Sequence, residues 1–192
     1  FALGLEACAD ERAATVQSRL VSIFRRYGLP WRILVDNGPP WGSSGQGSHT
    51  RFSAWLIRLG VTVSHGRPLH PQTRARTSAF TVRSSQRPAW HGLPDVQVAF
   101  DDWRPHYNFE RPHEALGMKT PAQCYSPSPR PYDSAEPDFV YPSSFLIYKV
   151  DDNGRIHSGR RLLPLTLALA GEHVGIEPIE DEKIRVWYCD FC

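Results

Sequence analysis

The mostly apolar run FALGLEACA, residues 1 to 9, reads as a strand. Val16, Leu20, Ile23, Phe24 and Tyr27 then recur at helical spacing, which predicts an amphipathic helix from about residue 12 to 27. Asp10 and Glu11 lead into it, and Gly28 and Pro30 stop it. Ile33, Leu34 and Val35 form a short apolar run that reads as a buried strand ending on Asp36. The stretch from Asn37 to Ser48 is too rich in Gly, Pro and Ser for regular structure. Phe52, Trp55, Leu56 and Leu59 mark a second short helix closed by Gly60, and Val61 to Ser64 reads as the next strand.

Residues 65 to 94 hold no sustained period. Order resumes at Asp95, an N-cap candidate after Pro94, where Val96, Ala99, Phe100 and Trp103 give a helical face. Prolines at 121, 127, 129, 131, 137 and 142 mark an extended linker. Beyond it, Phe145 to Val150, Arg155 to Ser158, Val174 to Pro178 and Lys183 to Tyr188 alternate like short strands around Asn153-Gly154, predicting a small all-β module.

A chain of 192 residues accommodates one domain with an appendage or two small domains. With 41% hydrophobic and 22% charged residues it is not a mostly disordered chain. Its longest apolar candidate, Leu162 to Ala170, falls short of the roughly 20 residues a membrane helix needs, so no membrane partner is expected. The first residue is Phe and no secretory pattern follows, as expected of an interior piece of a longer reading frame. Four irregularly spaced cysteines predict no disulfide framework and a reducing, cytoplasmic setting. The net charge of +2 hides an uneven distribution. Between Asp36 and Asp95 there is no Asp or Glu, while Arg51, Arg58, Arg67, Arg74, Arg76, Arg83 and Arg87 accompany His49, His65, His70 and His91. Such a segment attracts a polyanion through counterion release, or is simply an exposed basic surface.

Chemistry concentrates at Arg32-Ile-Leu-Val-Asp36-Asn37-Gly38. Functional groups in α/β proteins gather beyond the carboxyl ends of strands, where Asp36 would sit and could hold Mg²⁺. Asn-Gly after an apolar run is also an ordinary turn signal, and the residues alone favour the turn. Cys189 and Cys192 form a terminal CxxC with no second ligand pair at useful spacing. Trp103 and Tyr107 fall on the apolar face of the last core helix, which favours packing over base stacking. Asn108, Arg111 and His113 are expected to fix the turn after that helix.

Three blocks change the balance: RYGLPWRILVDNGPPWG (26 to 42), WLIRLGVTVSHGRPLHPQTR (55 to 74) and FDDWRPHYNFERPHEALGMKTPAQCY (100 to 125). Together they resemble an insertion-element transposase with a retroviral-integrase-type core. The resemblance implies an α/β, RNase H-like fold, truncated at its N-terminus, followed by a small all-β, barrel-like tail. It implies a partial catalytic core at 1–125, a proline-rich linker at 126–142 and a β module at 143–192. It further implies a three-carboxylate (DDE) site using two Mg²⁺ or Mn²⁺ ions for phosphodiester strand transfer. Asp36 matches the second of those acids, as catalytic and metal-binding residue, and the first is expected upstream of Phe1. Arg51, His65, Arg67, His70, Arg74, Arg104 and Arg111 are the expected DNA contacts. The implied partners are double-stranded DNA, both element ends and target, and further copies of the chain, in a bacterial, nucleoid-associated setting.

The third acid should follow HPQTR on a helix reading roughly GKxERFHR, but residues 74 to 83 read RARTSAFTVR, with no acid. Codons exist for residues 74 to 86 that, with one nucleotide inserted, read RGKNERFHRSLKP. A frameshifted stretch from about 75 to 88 therefore accounts for the departure. One carboxylate of three does not hold two cations in catalytic geometry. The resulting expectation is a transposase for DNA integration by descent and an inactive relic by chemistry. The alternative is a non-catalytic DNA-binding fragment acting through its basic surface.

Overall fold

The computed structural model describes residues 1–42, 49–66, 91–134, 138–159, 161–179 and 183–192. The chain divides into two compact units, one of residues 1–29 with 67–132 and the other of 30–66 with 133–192.

The first unit is built on two helices. Helix α1 spans Ala13–Tyr27, close to the predicted bounds. No side chain caps it at Arg12, but the Asp10 carboxylate accepts from the Arg12 N–H (3.1 Å) and the Thr15 hydroxyl (2.7 Å), which anchors its first turn. Gly28 ends it at φ 80°, where its N–H still reaches the Phe24 carbonyl at 2.8 Å. A Cβ at Gly28 would stand 2.6 Å from the Arg130 carbonyl oxygen, so space and backbone conformation both demand glycine there. The unit's second helix, here α3 because α2 precedes it in the chain, spans Leu93–Pro105, with Pro94 in the first turn, where its missing N–H costs nothing. After Pro105 the helix widens into a π turn, His106–Glu110, whose i to i−5 bond runs from the Arg111 N–H to the His106 carbonyl at 3.0 Å.

The predicted strand at 1–9 does not form. Residues 1 to 8 belong to no sheet, and helix side chains take the place of a neighbouring strand. Asn108 accepts from the Ala2 N–H (2.8 Å) and donates to the Ala2 carbonyl (3.0 Å). Arg104 donates to the Leu3 carbonyl (3.1 Å), while Gln97 donates to the Leu5 carbonyl (3.1 Å) and accepts from the Ala7 N–H (2.9 Å). Positions 97, 104 and 108 share one face of the helix and its π extension, so a row of amide and guanidinium groups satisfies a backbone that would otherwise be orphaned. Gly4 lies against Ile23, with no room for a Cβ. The Phe1 ring stacks on Tyr125 at 4.3 Å and meets Tyr27 and Phe109 edge-on.

The second unit opens with a β-α-β arrangement. Strand β1 (Arg32–Val35) and strand β2 (Thr62–His65) pair in parallel, Val35 opposite His65, with helix α2 (Arg51–Arg58) between them in sequence. Helix α2 begins in a reciprocal cap: Thr50 accepts from the Ser53 N–H, and Ser53 accepts from the Thr50 N–H. Phe52, Ser53, Ala54, Leu56 and Ile57 are all buried, so α2 is enclosed on most of its circumference. Ala54 and Ile57 join Val150, Ile156, Val174, Ile176, Tyr188 and Cys189 in one core.

The tail corrects the expectation of a barrel. Its strands are β3 (Leu146–Lys149), β4 (Arg155–Ser158), β5 (Arg161–Pro164), β6 (His173–Pro178) and β7 (Ile184–Trp187). Among the described residues they form a three-stranded antiparallel sheet ordered β3-β6-β7 and a separate two-stranded sheet of β4 and β5. Closure needs an unbroken ladder around the circumference. Here the Asp151 carboxylate turns the chain after β3 by accepting from the N–H groups of Asn153 and Arg155, both at 2.9 Å. The β4–β5 hairpin then pairs with itself, and the ring stays open. Strand β5 overlaps the apolar run beginning at Leu162, where Pro164 masks the strand pattern.

Candidate functional site

Asp36 stands one residue beyond β1, and His65 is the last residue of β2, so parallel register brings them to the same end of the sheet. The loops that leave the two strands are tied together there. The Gly66 N–H donates to the Val35 carbonyl at 3.0 Å, and the Asn37 amide donates to the Gly66 carbonyl at 3.2 Å. His65 Nδ1 lies 3.0 Å from the Asp36 carbonyl oxygen. A carbonyl only accepts, so Nδ1 carries the hydrogen, and Nε2 is left as a base or, when protonated, a second donor. One Asp36 carboxylate oxygen accepts from the Gly38 N–H at 3.2 Å, folding the chain back after the strand. Asp36-Asn37-Gly38 thus forms the turn that its residues favour.

Gly42 closes the loop over this end. Its N–H reaches the Gly38 carbonyl at 3.1 Å, and a Cβ there would come 3.0 Å from the Asn37 carbonyl oxygen and 3.4 Å from the His65 ring. Half-buried His49 completes the surroundings. Burial, and secondarily the neighbouring His65, hold its pKa below the ordinary imidazole value.

The expected DNA contacts fall in different places. Arg51 and His65 are exposed in the second unit, and exposed Arg111 belongs to the first. Arg104, also in the first unit, is half-buried and donates to the Leu3 carbonyl. Arg67, His70 and Arg74 lie outside the described residues. Trp103 and Tyr107 stack on each other at 4.6 Å, and Tyr107 meets His113 edge-on. Asn108 holds Ala2 rather than the turn that follows it.

Two members of the Asp36 neighbourhood do not stand out in the sequence. His49 is there only one basic residue in an acid-free stretch, and Asn37 only half of a turn signal. What marks them is the parallel pairing of β1 with β2, which two short apolar runs do not encode.

Among the described residues no group of three or more His, Cys, Asp or Glu side chains is placed to share a metal ion. Asp36 has a histidine beside it, held through the backbone carbonyl, but no second carboxylate in that set. The described donor set therefore does not fit a two-cation centre. No helix among these residues is long and apolar enough to cross a membrane.

Comparison with known proteins bears on the same region. Residues 59–121 match the family model described as the integrase core domain. The insertion element IS476 uncharacterized 39.2 kDa protein of Xanthomonas euvesicatoria is 30% identical over 100 residues, covering 50% of this chain and 27% of that protein. The chain thus spans only 27% of the length of that curated relative. A chain in the cryo-EM structure of the simian T-cell lymphotropic virus intasome with PP2A regulatory subunit B56 gamma superposes with a TM-score of 0.44 at 19% identity, covering 96% of this chain and 64% of that one. Residues 59–121 are thus similar to an integrase core-domain segment, and half of the chain is similar to an insertion-element protein.

Proposed function

We propose that this chain is part of a transposase of the integrase class, acting on double-stranded DNA in integration and transposition, and that these 192 residues bind DNA without transferring strands. The observation that carries the reading is the meeting of Asp36 and His65 at the carboxyl end of two parallel strands, where open α/β sheets gather their functional groups. Asp36 is the proposed catalytic acid of the class. His65, Arg51 and Arg111, with Arg67, His70 and Arg74, are the proposed phosphate contacts, and Arg104 joins them only where its bond to Leu3 is released. Mg²⁺ or Mn²⁺ is the cofactor of the class. The described donor set does not hold it, so no step is routed through it here.

The proposal of inactivity rests on the residues themselves. From position 37 to 94 the sequence has no Asp or Glu, so that stretch supplies no second carboxylate. The chain would then act as a non-catalytic DNA-binding piece, on its own or beside a full-length relative in a shared oligomer.

The test is a paired assay on one labelled duplex. Affinity should fall steeply with salt, because each phosphate neutralised on duplex DNA contributes about 0.9 to the slope of log affinity against log salt. Nicking with Mg²⁺ or Mn²⁺ should stay at background. Divalent-dependent nicking abolished by Asp36→Asn would overturn the inactive reading. Salt-independent binding, or none, would overturn the DNA reading.

A further inference from the structure

A second cavity lies within the second unit, between helix α2 and the tail. A cavity of about 460 Å³ is lined by Arg58, Glu172, Tyr188, Tyr141, Phe139 and Ile147, among others. Its polar side is an ion pair, Arg58 to Glu172 at 3.1 Å, with both side chains only partly exposed. Beside that pair is the Tyr188 hydroxyl, which is buried and makes no hydrogen bond of good geometry, although Tyr188 as a whole is only 6% exposed. Burial and the Glu172 charge keep that hydroxyl protonated, so it is a donor, with the Glu172 carboxylate as its neighbour. The rest of the lining is mixed: the Phe139 and Tyr141 rings meet edge to face at 4.8 Å, Ile147 stands on strand β3, and Asp138 and His173 add polar groups.

We propose that this cavity takes an unpaired nucleobase whose edge sets an acceptor beside an N–H, as the edges of thymine, guanine and cytosine do. The inference rests on the DNA reading above and names a further contact for the same partner. Arg58 and Tyr188 donate to the base acceptor, Glu172 accepts from the adjacent N–H, and the aromatic side chains meet the ring face. Cytosine offers the same two groups through its ring N3 and its amino N–H, so the pocket recognises an exposed base rather than one base type. A blunt duplex offers no unpaired base, so the pocket should add affinity only where a strand end or gap exposes one.

The experiment compares, for the full 192-residue chain, a blunt duplex with the same duplex carrying five thymidines or five abasic deoxyriboses as a 3′ overhang. Thymidines should tighten binding about tenfold over the blunt duplex, and the abasic overhang by less than about threefold. Glu172→Gln and Phe139→Ala should each erase the thymidine gain and leave blunt-duplex affinity in place. Phe139 is 37% exposed, so its truncation keeps the test standing if Glu172→Gln loses the fold. Equal gain from both overhangs, or a thymidine gain surviving in Phe139→Ala, would sink the proposal. Saturable binding of free thymidine, abolished in Phe139→Ala, with no binding of any duplex would sustain the pocket while removing the DNA reading.

Discussion

Asn108 holds Ala2 by both of its main-chain polar groups, accepting from the N–H at 2.8 Å and donating to the carbonyl at 3.0 Å. The side-chain amide has the same donor and acceptor as a peptide unit, and here it stands in for a neighbouring strand. Asn108 is only 3% exposed, so any group it leaves unmet stays buried. Asn108→Asp keeps the acceptor and loses the donor, setting a carboxylate against the Ala2 carbonyl. We expect a loss of about 1–3 kcal/mol in chemical denaturation and faster amide exchange across residues 2 to 7. Unchanged exchange there would show that the side-chain ladder does not hold the segment.

Gly28 joins two constraints at one position. At φ 80° it sits where L side chains are strained, and its missing Cβ leaves room for the Arg130 carbonyl. The neighbouring Leu29 N–H bonds that same carbonyl at 2.7 Å, so the two stretches of chain cannot easily part. Gly28→Ala should destabilise by about 1–3 kcal/mol, seen as a lower denaturation midpoint with an unchanged slope.

His49 links stability to pH. Its folded pKa lies below the ordinary value of 6.5, chiefly through burial and then through His65. Between the folded value and 6.5 the unfolded chain binds more protons than the folded one, so stability rises with pH through that window and is lost as pH falls. His49→Gln should flatten this part of the stability–pH curve, measured by thermal melts from about pH 5 to 8. An unchanged slope would assign the dependence elsewhere.

Asp151 works in the opposite range. Partial desolvation pushes its pKa up, but hydrogen bonds from the Arg155 N–H, His157, the Arg155 side chain and the Asn153 N–H outweigh it and bring the pKa below 3.8. Its contribution is therefore present above the ordinary carboxylate value and lost as pH falls through the lower folded value. Asp151→Asn should lower the stability of the tail at neutral pH and remove its share of the acid-side decline, followed by Trp187 fluorescence.

The cysteines should separate by reactivity. Burial raises the Cys189 thiol to about 11, whereas Cys124 and Cys192 are exposed. Limited alkylation at about pH 8 followed by mass spectrometry should label Cys124 and Cys192 first and spare Cys189 in the folded chain. Equal labelling of Cys189 would mean that the end of β7 is open.

Helix α1 is legible in the sequence because burying its apolar face and stopping at Gly28 are local demands. The same holds for β1, α2 and β2, each of which begins and ends within about two residues of the hydrophobic pattern that predicts it. The segment at 1–9 departs from its pattern for a physical reason. The apolar run predicts an extended backbone, but not what satisfies its hydrogen bonds, and Gln97, Arg104 and Asn108 are some 100 residues away. The tail's short strands are legible in the same way, whereas their closure into a barrel is not, because pairing is a property of strand ends and turns such as the one at Asp151.

From sequence alone come the helices and strands, the acid-free basic stretch, the Asp36 motif and the resemblance that its blocks carry. All of these follow from local periodicity or from residue identity, which neighbours in the chain suffice to express. Tertiary structure decided which of them meet: His65 and His49 beside Asp36, Asn108 against Ala2, and Tyr188 beside the Arg58–Glu172 pair. Those encounters depend on register and packing between distant segments, whose free energy is set by partners that no local window contains.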